Sequence, residues 1–358
     1  MSFTITDAAL FDGLELLPGR YDVRIEDAAV VSVDAAGSVA PLGDVVEATG
    51  RTLAPGLIDG HVHFLQPADF PALLAGGVTS AADMASWPPE HVEQLRSVSG
   101  GLQFTTPGAP LIGPAGPHSH MPGLGEAVID SPEAARRVVA ARVAQGVDYI
   151  KLVLEAEGRG GPEPDAARAA VEAAHAAGLR AIAHASSVGA IDLAVEIGVD
   201  ILTHAPLDGA VGGETIARIV RDGIVVVPTL IMMRTTAERR AVPPAYGNAK
   251  AFVTAIHEAG ATIVVGSDAN SAPGAPAAVA HSSGARDELA LLVNAGLSPT
   301  EALRAATSRS AELFGFEGRG VIRPGSVADL LLVHGDPTTN IADIGDISGV
   351  WLAGKRVP

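Results

Sequence analysis

The sequence predicts an α/β protein: a (β/α)8 TIM barrel joined to a small β-sandwich built from both ends of the chain. Three observations carry this expectation. Between residues 54 and 319, short apolar or β-branched runs alternate with alanine-rich helical stretches, the pattern of a parallel sheet. Eight such units in roughly 260 residues fit a closed barrel, which typically needs about 250. Residues 1–53 and 320–358 do not follow the repeat and read as short strands. The expected division is therefore a β-sandwich from 1–53 and 320–358, and a barrel from 54–319.

Taken in order, the first terminal segment shows alternating strands at 4–10, 21–26, 29–34 and 45–48. Barrel strands are expected at 56–61, 78–83, 102–106, 149–153, 180–184, 201–204, 224–228 and 262–266. Helices are expected at 131–145, 165–177, 188–197, 213–222, 249–258, 283–295 and 298–313. Ser131-Pro132 and Ser298-Pro299 each set a capping serine before a proline at the first helical position. Gly178, Gly260 and Gly296 follow alanine where a helix should stop in the left-handed conformation. The stretch from 86 to about 130 is rich in proline and glycine and reads as a long loop, a place where function concentrates. The runs 328–333 and 349–354 return to β character.

Composition narrows the function. The chain of 358 residues is 47% hydrophobic and 18% charged, enough to bury a large core. A formal net charge of −17 repels phosphate backbones, so nucleic acid is not an expected partner. There is no cysteine, which excludes disulfides and thiolate metal sites. No apolar run reaches the length of a membrane span, and the first residues lack a basic stretch followed by an apolar one. The expectation is a cytoplasmic protein acting on a small molecule, with no membrane partner.

The barrel assignment gives meaning to certain polar residues, because chemistry in such barrels sits at the C-terminal ends of the strands. His61 and His63 end the first strand and, two apart, point to one side. Lys151 ends the fourth strand, His184 the fifth, His204 the sixth, and Asp268 follows the eighth. Neutral imidazole is a common ligand for divalent transition metals. Plain alternatives stand beside each: solvated loop histidines, core histidines bonded to carbonyls, a solvated lysine at a strand end, a turn aspartate. Four histidines out of eleven at strand ends, with a lysine and an aspartate, favour a shared site.

This set resembles the amidohydrolase superfamily of metal-dependent hydrolases. The segments Ala54-Pro-Gly-Leu-Ile-Asp-Gly-His-Val-His63 and Gly325-Ser-Val-Ala-Asp-Leu-Leu-Leu-Val333 are similar to its most recognisable stretches. The chain looks nearest to the binuclear prolidase and ochratoxinase-like members. The resemblance implies two divalent metal ions, commonly zinc. His61, His63 and Asp268 would hold the first and His184 and His204 the second, with Lys151, carboxylated by carbon dioxide, bridging them. Carboxylation suits the position, since an ammonium beside two cations would be repelled and a buried lysine readily becomes neutral. Two such metals can activate a hydroxide and polarise a carbonyl. Asp268 would also be the catalytic proton acceptor and later return the proton to the leaving amine.

Other candidates surround this set. His118 and His120 lie in the long loop. Related hydrolases often use a loop histidine to polarise the scissile carbonyl or bind a substrate carboxylate, and His120 is the preferred of the two, against a plain surface histidine. His281 is a candidate substrate contact or support at the mouth. Arg234, after the seventh strand, would suit a substrate carboxylate, though a helix-surface arginine is the competing reading. Met232 and Met233 suggest an adaptable apolar wall rather than the tyrosine expected of dipeptide-cleaving members. His91, His175, His257 and His334 are read as structural. The expected reaction is hydrolysis of an amide, peptide-like or N-acyl, or of a lactone or ester. The alternatives are a mononuclear deaminase or cyclic amide hydrolase on the same fold, and a non-catalytic scaffold. Lys151, and the lack of a glutamate soon after His204, speak against the deaminase. Barrels of this kind are frequently homo-oligomers.

Overall fold

The computed structural model describes residues 2–272, 275 and 277–358. Its strands are β1 (Ser2–Phe11), β2 (Leu16–Glu26), β3 (Ala29–Ala35), β4 (Asp44–Glu47), β5 (Arg51–Pro55), β6 (Leu57–Val62), β7 (Val78–Asp83), β8 (Gln103–Thr105), β9 (Ile150–Val153), β10 (Ala181–His184), β11 (Ile201–Thr203), β12 (Val225–Val227), β13 (Leu330–His334), β14 (Ile347–Leu352) and β15 (Lys355–Arg356). The helices are α1 (Asp69–Ala75), α2 (Pro89–Val98), α3 (Pro132–Ala144), α4 (Pro164–Ala176), α5 (Val188–Ile197), α6 (Gly213–Arg221), α7 (Leu230–Arg239), α8 (Tyr246–Glu258), α9 (Gly284–Asn294), α10 (Pro299–Ala305) and α11 (Ser308–Phe314). None of the helices among the described residues is long and apolar enough to cross a membrane.

The result is a mixed α/β fold. Strands from both ends of the chain share one sheet, in the order β15-β14-β13-β5-β1-β2-β3, with β4 pairing β1. Strand β5 joins this sheet, running antiparallel to β13 with Leu53 opposite Leu332. The sheet therefore extends past residue 53. Phe3, Ile5, Val23, Leu53, Leu330 and Trp351 form its own apolar cluster.

The central strands form two parallel sheets, β6-β7-β8 and β9-β10-β11-β12. Single bridges extend them: Leu111 to Leu152, Val226 to Ile263, and Val62 to Ala269. Residues 262–266 were expected as a strand, yet their backbone hydrogen bonds are divided among three neighbours. Val226 N–H donates to Thr262, Gly60 N–H donates to Val265, and Val265 N–H donates to the carbonyl of Ala305. That division leaves one bridge rather than a ladder.

The same contacts explain why 298–313 is two helices rather than one. The carbonyl of Ala305 accepts from Val265, and that of Ala306 accepts from Ile58 at 2.7 Å. Both carbonyls turn toward strands instead of continuing the helix. The long loop at 86–130 contains α2, which the sequence reading did not anticipate; Pro89 sits in its first turn, where no amide donor is needed.

Side-chain alternation places the chemistry. Ile58, Tyr149, Ile182, Ile201, Val227 and Val264 pack as one apolar layer between the strands. Two residues further along their strands, on the same side, come Lys151, His184 and Thr203. In β6 an irregularity between Asp59 and Val62 shifts the register, which brings His61 to that layer as well.

Candidate active site

His61, His204 and Asp268 each offer a ligand atom, and these atoms lie within 4.8 Å of one another. His63 Nε2 is 3.1 Å and His61 Nε2 3.5 Å from Asp268 Oδ1, and His204 Nδ1 is 4.0 Å from Asp268 Oδ2. The ring of His184 packs edge-on to His204 at 4.3 Å between centroids. The structure thus brings the four strand-end histidines and the aspartate together. Lys151 is buried in the same layer.

Electrostatics suit a cation. Burial, followed by the charge of Lys151 or of neighbouring histidines, holds His61, His184 and His204 well below the usual imidazole range. That shift favours the neutral ring, the form that binds metal. For His63 burial pulls the same way, but the attraction of the nearby Asp268 carboxylate wins and raises it. Burial lowers the Lys151 ammonium to about 7. Buried His61 Nδ1 and Asp268 Oδ1 have no hydrogen-bond partner. Orphaned polar atoms are rare in a folded interior, and a set of imidazole and carboxylate donors is what a divalent metal requires. The residues therefore fit the group the sequence implied.

The backbone at this site is strained. His204, Thr229 and Asp268 have φ of 78°, 47° and 56°, a region uncommon for residues other than glycine. The supports are specific. Asp59 Oδ1 accepts from the N–H groups of Ser267 (2.9 Å) and His61 (3.1 Å), and Asp59 Oδ2 accepts from the Ser267 hydroxyl (2.6 Å). Burial pushes this carboxyl up to about 6. Asp268 N–H donates to His61 C=O at 2.8 Å, so strand β6 and the Asp268 turn are locked together. Gly266 permits this closeness: a Cβ there would meet Val227 Cγ1 at 2.3 Å and His61 Cβ at 2.8 Å.

The loop candidates separate. Pro117–His120 is a 3-10 turn, in which residues three apart eclipse. Pro117 and His120 share one side, and His118 takes another. The His118 ring packs on His184 at 5.5 Å, and burial lowers its pKa. His120 is exposed. Of the two loop histidines, His118 is the one that lies against the histidine cluster. His281 is buried; its Nε2 lies 3.1 Å from the His63 carbonyl oxygen and its Nδ1 3.7 Å from Asp69 Oδ1. It supports the backbone of His63. Arg234 lies on α7, where its charge acts on Glu288 and Tyr246.

Sequence reasoning missed Asp59, Thr203, Thr229 and Glu288. Asp59 carried a signal, being a lone carboxylate in an apolar strand two residues before His61. The other three look like ordinary polar residues in their segments. Thr203 Oγ1 accepts from Lys151 Nζ at 2.8 Å, and Thr229 Oγ1 lies 2.8 Å from His204 Nδ1.

Comparison with known proteins gives the family and the fold. A model described as "Amidohydrolase family" matches residues 52–357. An imidazolonepropionase of Deinococcus deserti is 29% identical over 197 residues, which cover 53% of this chain and 45% of that protein. A crystal structure of a Xaa-Pro dipeptidase with bound methionine superimposes with a TM-score of 0.85 at 20% identity, covering 99% of both chains. The ochratoxinase of A. niger superimposes with a TM-score of 0.77 at 20% identity, covering 99% of this chain and 95% of its own. At these identities the two structures speak for the fold.

Proposed function

The chain belongs to the amidohydrolase family, and from that premise we propose that it is a hydrolase of carbon–nitrogen bonds that cleaves a peptide-like or N-acyl amide in a small molecule with the help of two divalent metal ions, zinc being the expected one. The same arrangement serves a lactone or ester. The observation that carries this reading is the convergence of His61, His204 and Asp268, two of which hold a buried atom without a hydrogen-bond partner. In this reading residues 54–319 form a closed eight-stranded barrel and 1–53 with 320–358 a β-sandwich beside it.

His61, His63 and Asp268 would hold one ion and His184 and His204 the other, and Lys151, once carboxylated, would serve as a ligand shared by both. When bound, the ions act as Lewis acids that polarise the scissile carbonyl and lower the pKa of water. The protein's own groups do the rest. Lys151, brought by burial to about 7, has an uncharged amine available at neutral pH. Its nitrogen adds to the carbon of carbon dioxide and releases one proton, leaving an anionic carbamate. Asp268 takes the proton of the attacking water and returns it to the leaving amine. His118, beside His184, donates a hydrogen bond to the substrate carbonyl oxygen.

Elemental analysis of the purified protein tests the reading. About two divalent ions per chain are expected, and His184→Ala should lower that number. A metal-free protein that gains no activity with zinc, cobalt or manganese would sink the proposal. A screen of the metal-loaded protein against N-acyl amino acids, dipeptides, cyclic amides and lactones then selects the substrate class.

A further inference from the structure

We propose that Glu288 is a positioning residue for the metal centre: its carboxyl clamps the start of α7 and, through Thr229, sets the ring of His204. The inference rests on the metal-binding reading above and concerns residues that reading does not use.

Thr229 occupies the N-cap position of α7. A threonine there normally turns its hydroxyl onto the free N–H groups of the first turn. Here it makes no such bond. Its hydroxyl instead meets His204 Nδ1 at 2.8 Å. When Nδ1 donates to that oxygen, Nε2 carries the lone pair that a cation takes. The diversion leaves the N–H groups of Leu230 and Ile231 without a local acceptor in a buried place.

Glu288, 58 and 57 positions further along the chain, fills both vacancies. Oε1 accepts from Leu230 N–H and Oε2 from Ile231 N–H, each at 2.8 Å. Glu288 is 0% exposed, so water cannot substitute. The clamp also holds a strained turn, since a β-branched residue at φ 47° is a genuine outlier. His204 hangs on the same strand end, its N–H donating to Val227 C=O at 2.9 Å. A remote carboxyl doing the capping frees the local hydroxyl to orient a ligand.

The test titrates metal-free protein with cobalt(II) and follows its absorption. Glu288→Gln keeps the size but sets an NH2 group, which cannot accept, against one of the two N–H groups, whereas both carboxyl oxygens can accept in either protonation state. Thr229→Val removes the hydroxyl at constant shape. Each is expected to weaken cobalt binding about tenfold, the lower end for groups that orient metal ligands. The double variant should be little worse than either single one, because both act along one chain of contacts. Unchanged cobalt affinity in Glu288→Gln, whatever its melting temperature, would overturn the inference, as would a double variant showing the product of the single losses. A wild-type protein that binds no cobalt would instead strike at the metal reading itself. Should Glu288→Gln fail to fold, hydrogen exchange in the wild type decides. Zinc is expected to slow exchange across 229–233 relative to α3, and equal exchange with and without zinc would overturn the clamp.

Discussion

Lys151 Nζ lies 2.8 Å from Thr203 Oγ1, and that hydroxyl in turn donates to the carbonyl of Ala183 at 3.1 Å. The lysine is thereby held at the level of the histidines with its hydroxyl neighbour facing it as an acceptor. No carboxylate is hydrogen-bonded to Lys151 among the described residues, so burial dominates and lowers its pKa.

Lys151→Ala is accordingly expected to lose activity and to weaken both metals. A short carboxylic acid with added metal should restore part of the activity by occupying the gap. Lys151→Arg should be inactive, since guanidinium keeps its charge and cannot carry carbon dioxide. Two bound metals and near-normal turnover in Lys151→Arg would rule out the bridge.

His118→Ala should lower kcat/KM by about 10²–10³, the usual cost of removing one donor to a developing oxyanion, with metal content unchanged. His120→Ala should stay near wild type. The reverse pattern would return the role to the exposed histidine.

Gly266→Ala forces a methyl into Val227 and the Cβ of His61. Overpacking of this kind costs about 1–3 kcal/mol. A urea melt should show that loss together with weaker metal binding. An unchanged melt would mean that strand β6 gives way freely.

Burial raises the Glu288 carboxyl from 4.5 to about 8, against the pull of its two N–H bonds. The unfolded chain ionises near pH 4.5 and the folded one near 8, so between these values the folded state holds more protons. Stability from this group therefore falls as pH rises. Glutamine does not titrate. The stability deficit of Glu288→Gln should thus be largest near pH 5 and shrink toward pH 8; a deficit growing over that range would contradict the assignment.

Much of this was legible in the sequence because it depends on local pattern. The bounds of β7 and α5 match the expectation, and strand-end position alone gathered His61, His63, His184, His204 and Asp268. What escaped depends on contacts distant in sequence. The pairing of Ala305 and Ala306 with strands split a helix that local propensity made continuous. Glu288 and Thr229 act across 58 positions or fewer but on separate elements, and neither has an unusual neighbourhood. The choice between His118 and His120 turned on the winding of a four-residue turn, which composition does not fix.

The pairing of β5 with β13 has a consequence for how the chain reaches its native state. The Thr52 hydroxyl bonds to the carbonyl of Gly335, 283 positions away. Such a contact is closed only after an unusually long loop has been ordered, and contacts of this kind slow folding. Until β13 arrives from synthesis, β5 presents an open edge able to recruit strands from other molecules. Nascent chains halted before residue 330 should therefore be the most prone to aggregate and the most dependent on chaperones.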